Sequence, residues 1–263
     1  MFILLVSEYK HRPDFPFKEI KRFKHALQKK TFDLALDFQG NTKSALILSL
    51  AKASVKRSFH SSQVAEWPHR LVKAERIMSD TSHVLNFNRS LVEDLVQDKA
   101  WDIPILKKQE EVTLPQDRKI IMLGLGSMWP SKTFSEDQVQ SLLNNLKNIY
   151  NPYFLIPALV SEKDRYLKLL GAFEGEILTK DNLASYIPYL LKTDLFIGVD
   201  SSLLHLARLF KISSKAFFGP SSLKFYGSSN DIQGSCLYGE TFLKRCKNLR
   251  SCSAPCMKSH DLS

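Results

Sequence analysis

The feature that most limits the fold is an alternation. Short apolar runs of strand character trade places with longer segments whose apolar residues recur every three or four positions. This demands parallel sheets flanked by helices, because consecutive parallel strands need a crossover and the crossover is usually a helix. In the first half, KHRPDFPFKEIKRFKHALQKK carries Phe17, Ile20, Phe23 and Leu27 at helical spacing. FDLALDFQG reads as a buried strand from Phe32 to Phe38 that ends in a polar loop, KSALILSLAKA as a helix, VKRSFH as a less defined strand and NRSLVEDLVQDKA as a helix. In the second half KIIMLGLGS, YFLIPAL, DLFIGVD and KAFFGP read as strands, with SEDQVQSLLNNLKNIY, SEKDRYLKLLGAF and SLLHLARLFK as the helices between them. A shorter strand and helix pair falls in EGEILTKDNLASYIPYLLKT. DIPILKKQEEVTLPQD mixes charge with two prolines and has no period, which marks a linker. The expected domains are therefore 1–108 and 109–263.

At 263 residues the chain is long enough for one large or two modest cores. No apolar run approaches the roughly 20 residues that span a bilayer. The opening MFILLVSEYK lacks a basic leader and a small-residue cleavage site, so it reads as a short strand rather than a secretory signal, and the cytoplasm is the expected compartment. The net charge of +10, from 37 Lys and Arg against 27 Asp and Glu, favours anionic partners. Nucleic acid is not the expected one, because the basic residues are spread along the chain without a recognisable binding motif. Around Phe17–Leu27 the charges read either as the solvated face of an amphipathic helix or as a patch for a membrane or polyanion.

Three constellations follow strands of the second half. In FIGVDSSLLHLARLFKISSKAFFGP, Asp200, Ser201, Ser202 and His205 stand where a strand hands over to a helix, whose free amides and positive dipole end attract anions. The plainer reading is that Ser202 caps the helix and His205 packs in the core. In LGLGSMWPSKTFSED, Gly124 and Gly126 permit close backbone approach and Lys132 can place a charge on a phosphate, although neither GxxxxGK[ST] nor GxGxxG is present. A turn followed by a helix capped by Ser135 accounts for the same residues. In IPALVSEKDRYL, Glu162 is suited to ribose hydroxyls, and equally to a helix start, where acids are favoured without any ligand. In a doubly wound sheet all three would share one rim, at the strand ends where ligands bind.

The order of these motifs resembles glycosyltransferase family 9, the lipopolysaccharide heptosyltransferases. GVDSSLLHLARLFKISSKAFFGPSS looks like the family's Asp-Thr/Ser-Gly-x-x-His signature, FDLALDFQGNTKSALI like its N-domain strand and loop, GSMWPSKTF like its Trp-x-x-Lys loop, and KNLRSCSAPCM like its Cys-rich tail. The resemblance implies an α/β fold of the GT-B type, two Rossmann-like domains with parallel sheets facing across a cleft, the N-terminal one incomplete and the donor held mainly by the second. It implies transfer of a sugar, typically heptose, from a nucleotide diphosphate donor such as ADP-heptose to a lipopolysaccharide core or other glycan acceptor. Carried over by position, Lys132 contacts the diphosphate with Ser127 nearby, Glu162 the ribose, and Asp200, Ser201, Ser202 and His205 line the diphosphate and sugar site. Peripheral contact with the cytoplasmic face of the inner membrane follows from such an acceptor; no cofactor and no metal is implied.

Two departures bear on chemistry. Ser202 and Ser221 stand where the family usually has Gly and Thr, and the family's N-terminal Gly-Asp loop, whose Asp is thought to be the general base, has no counterpart in this sequence. The catalytic base is accordingly unassigned, and the alternative is a degenerate homologue that at most binds nucleotide sugar. The four cysteines, 236, 246, 252 and 256, are separated by nine, five and three residues, which fits no paired CxxC zinc pattern.

Overall fold

The computed structural model describes residues 17–64, 66–95, 111–127, 129–235, 252–253 and 255–262. The expected strand in MFILLVSEYK, the 108/109 boundary and Cys236 and Cys246 lie outside them. The chain divides into two compact units, and one short segment, Thr81–Val84, belongs with the second although the chain up to Asp80 and from Leu85 belongs with the first.

The first unit opens with helix α1 (Phe17–Gln28), in which Phe23 and Leu27 are half-buried while Lys21, Arg22, Lys24 and His25 face solvent. Strand β1 (Thr31–Asp37), helix α2 (Thr42–Leu50), strand β2 (Lys52–Phe59), strand β3 (Glu75–Ile77) and helix α3 (Val84–Arg89) follow. The three strands form a parallel sheet in the order β1-β2-β3, with Leu34 opposite Val55 and Asp37 opposite Ser58. Asn41 starts α2 with a reciprocal cap: its side chain accepts from the Ser44 amide, and the Ser44 hydroxyl accepts from the Asn41 amide.

Three expectations change here. β1 is largely exposed rather than buried: among the described residues it pairs with β2 alone, and Leu34 and Phe38 are exposed. The helix after it stops at Leu50, because Ala51 turns to extended backbone, and β2 begins at Lys52, three residues before the apolar signal. The helix expected over NRSLVEDLVQDKA lies earlier, as α3, with turns over 90–95. Ser90 bonds back to the Asn86 carbonyl and receives the Asp80 amide, while Asp94 is drawn into a two-bond fork with Arg57.

The second unit is built as the alternation requires: strand β4 (Ile120–Gly124), helix α4 (Glu136–Tyr150), strand β5 (Tyr153–Pro157), helix α5 (Lys163–Leu170), strand β6 (Gly175–Leu178), helix α6 (Ile187–Leu190), strand β7 (Leu195–Val199), helix α7 (Ser202–Leu209), strand β8 (Ser214–Phe218), helix α8 (Leu223–Tyr226), strand β9 (Ile232–Gln233) and helix α9 (Pro255–Lys258). All pairings in the six-stranded sheet are parallel, in the order β6-β5-β4-β7-β8-β9. Side chains alternate across it with period two. Ile121 and Leu123 join the core under α4 and α5, whereas Ile120 and Met122 join the core with Leu190, Leu204 and Ala207 of α6 and α7. Ser135 caps α4, as in the plainer reading of that loop, and Gln138 is its reciprocal partner. The final segment is tied down from two sides. Gln138 Nε2 donates to the Met257 and His260 carbonyls at 2.9 Å each, and His260 Nε2 bonds the Phe218 carbonyl at 3.0 Å. Cys256 is buried there, and Cys252 is half-buried.

Candidate active site at the sheet's switch point

Strand order decides where the polar residues meet. From β4 the chain winds outward through β5 and β6, then returns to place β7 on the other side of β4 and winds outward through β8 and β9. The reversal between β4 and β7 opens a crevice at their carboxyl ends, the usual ligand position in such sheets. The loop leaving β4 carries Lys132, and Asp200 directly follows β7.

The β4 loop is closed at its base, with Lys132 inside the closure. The Phe134 amide returns to the Leu125 carbonyl, and the Phe134 ring is buried edge-on against Phe217, with centroids 5.6 Å apart. A short 3-10 turn, Pro130–Lys132, then aims the lysine inward: Lys132 Nζ donates to Asp200 Oδ2 at 2.5 Å, with only 16% and 9% of the two side chains exposed. On the other side His205 Nε2 donates to Asp200 Oδ1 at 3.2 Å, which places the proton on that nitrogen. Burial works against the Asp200 charge. The His205 hydrogen bond, the Lys132 ammonium and the nearby Ser221 hydroxyl outweigh it and hold the carboxyl well below the usual carboxylate range.

Ser201, not Ser202, caps α7: its hydroxyl accepts from the Leu204 amide, and Ser202 sits exposed in the first turn. His205 is not a core histidine either, since 42% of its side chain is exposed. The positive end of α7 thus faces the same crevice as Lys132 and His205. Ser127 and Glu162 stand on the same rim but are occupied locally. Ser127 Oγ bonds the Trp129 amide and carbonyl, and Glu162 Oε2 accepts from the Leu159 amide at 3.3 Å. The structure therefore brings Lys132, Asp200 and His205 into contact and leaves Ser127, Ser202 and Glu162 beside them without a bond to the trio among the described residues.

Sequence reasoning missed a second network, in the first unit. Asp37, at the end of β1, accepts from the Gln39 and Gly40 amides, from the Ser44 hydroxyl and from His69 Nε2 at 2.8 Å. Arg76 donates to His69 Nδ1 and to the carbonyls of His69, Arg70 and Val72. His69 is fully buried, and its two nitrogens are fixed as donor to Asp37 and acceptor from Arg76. His69 and Arg76 lie in a polar stretch without period, so no local signal pairs them with Asp37.

Among solved structures, the E. coli heptosyltransferase WaaC with ADP superimposes with a TM-score of 0.64 at 23% identity, covering 82% of this chain and 70% of that one. E. coli ADP-heptose lps heptosyltransferase II gives 0.57 at 16%, covering 82% and 72%. The glycosyl transferase family 9 protein from Veillonella parvula DSM 2008 gives 0.56 at 14%, covering 81% and 64%. No curated protein sequence matches this chain. Two units with parallel sheets, matched over most of the chain by these structures, define a fold of the GT-B type. The sequence model of glycosyltransferase family 9 (heptosyltransferase) matches residues 20–255, and the chain belongs to that family.

Proposed function

We propose that this glycosyltransferase moves heptose from a nucleotide diphosphate donor such as ADP-heptose to a lipopolysaccharide core acceptor, with the donor bound in the second unit. The observation that carries the reading is the Lys132–Asp200–His205 cluster at the positive end of α7. Negative charge grows on the diphosphate as the glycosidic bond to the sugar breaks, and a fixed ammonium with helix amides stabilises it where it develops. Asp200 keeps the Lys132 ammonium and the His205 imidazole oriented, and its remaining hydrogen-bonding capacity is suited to sugar hydroxyls. Glu162, on the adjacent loop, is assigned to the ribose and Ser127 to the phosphate loop.

Neither described carboxylate at a strand end is cast as the general base. Asp200 binds a proton too weakly, and Asp37 already accepts from two amides, a hydroxyl and an imidazole. The reading places the chain in the cytoplasm at the inner membrane, where the exposed Lys21, Arg22 and Lys24 of α1 face anionic lipid. No helix among the described residues is long and apolar enough to cross a membrane.

Calorimetric titration of ADP and other nucleoside diphosphates into wild-type and Asp200→Ala chains, followed by a transfer assay with ADP-heptose, tests the proposal. Saturable ADP binding that the variant loses, with turnover, supports it. Binding without turnover under all acceptors supports the degenerate-homologue reading, and no binding by a cooperatively folded chain overturns the donor site.

A further inference from the structure

Two hydroxyls beneath the Lys132 loop are buried without a hydrogen-bond partner among the described residues. Tyr166, on α5, is 2% exposed and Ser131, beside Lys132 in the 3-10 turn, is wholly buried. The Tyr166 ring belongs to the core under β4 and β5, and its hydroxyl reaches the underside of the β4 loop. A side chain begun at Gly126 would put its Cβ only 3.2 Å from that oxygen and 4.0 Å from Thr133. The absence of a Cβ at Gly126 is what lets backbone and hydroxyl approach. Buried Tyr hydroxyls ordinarily find a partner, and a buried polar group without one carries a desolvation cost.

We propose that Tyr166 and Ser131 are positioning residues whose hydroxyls gain their partners when a nucleoside diphosphate enters beside Lys132 and the backbone at Gly126 and at Pro130–Thr133 resettles around it. The inference rests on the donor site assigned under Proposed function. Its physical content is a differential. The ligand-free loop bears two unsatisfied donors, the liganded loop satisfies them, and that difference adds to affinity through residues that need not touch the ligand. Burial, with the Glu162 charge adding to it, pushes the Tyr166 hydroxyl up to about 12, so it remains a donor at every working pH.

Tyr166→Phe and Ser131→Ala each delete one oxygen and leave the packing in place. Thermal unfolding of the ligand-free chain and calorimetric titration with ADP give two independent readouts. The expected result has opposite signs: an unfolding midpoint equal to or above wild type, because an unpaired buried group has been removed, and an ADP Kd raised about fivefold or more for each variant. A lowered ligand-free midpoint with unchanged Kd would show hydroxyls that serve the resting fold and would overturn the inference, as would variants indistinguishable from wild type in both readouts. If folded wild-type protein binds neither ADP nor inorganic pyrophosphate, the donor-site reading and this inference fall together. If wild type binds ADP and the variants bind it equally well, this inference alone falls.

Discussion

Lys132 Nζ and Asp200 Oδ2 stand 2.5 Å apart although 68 residues separate them along the chain. The contact joins the loop after β4 to the residue after β7 across the point where the winding of the sheet reverses. It places a cation at the mouth of the crevice and keeps that cation neutralised by a buried carboxylate.

Replacing Lys132 by Ala should weaken ADP binding by about 1.5 to 3 kcal/mol, the worth of a charge-assisted hydrogen bond, and should also lower the unfolding midpoint, because Asp200 is left buried with one partner fewer. Calorimetry and thermal unfolding of Lys132→Ala, Asp200→Ala and the double variant give the coupling between the two residues. Additive stability losses would show that the ion pair contributes nothing to the fold.

Because the folded state holds the Asp200 carboxyl below its ordinary value of 3.8, the charged form stabilises the fold, and that contribution is complete above this pH. It declines as pH falls below about 4 and is exhausted only below the still lower folded value. The difference in unfolding midpoint between wild type and Asp200→Asn should therefore be constant from pH 7 to pH 5 and shrink from pH 4 downward. A gap unchanged at pH 3 would argue against a depressed Asp200.

Ser201→Ala should cost about 1 kcal/mol in denaturant unfolding, as loss of a helix cap does, while Ser202→Ala should fall within about 0.5 kcal/mol of wild type. Reversed magnitudes would move the start of α7 by one residue.

Removing Asp37 takes an acceptor from four donors, of which the Ser44 hydroxyl keeps the Asn41 carbonyl and the buried His69 keeps the Ser58 hydroxyl. Asp37→Ala should destabilise the first unit by about 3 kcal/mol or more and strip hydrogen-exchange protection from the Gln39 and Gly40 amides. Protection that persists in the variant would show that backbone geometry alone holds that turn.

The sequence by itself determined the elements of the second unit from β4 to β8, but not α8, β9 or α9. The runs over 120–124, 153–157 and 195–199 and the helical spacing between them are local signals, and so is the Ser135 cap. Because each polar loop follows a strand of one parallel sheet, the sharing of a rim was legible as well. Which loops touch was decided only by the tertiary structure. Lys132 meets Asp200 and Glu162 stays apart because β4 lies between β5 and β7, and strand order is set by crossovers and long-range packing rather than by any window of sequence. The same holds for the exposure of β1, which depends on how many neighbours a strand has, and for the Asp37–His69–Arg76 network, whose members are 32 and 7 residues apart. Tyr166 shows the limit most plainly. At helical spacing it counts as one more apolar position, and only the packed core reveals a hydroxyl held under a glycine loop without a partner.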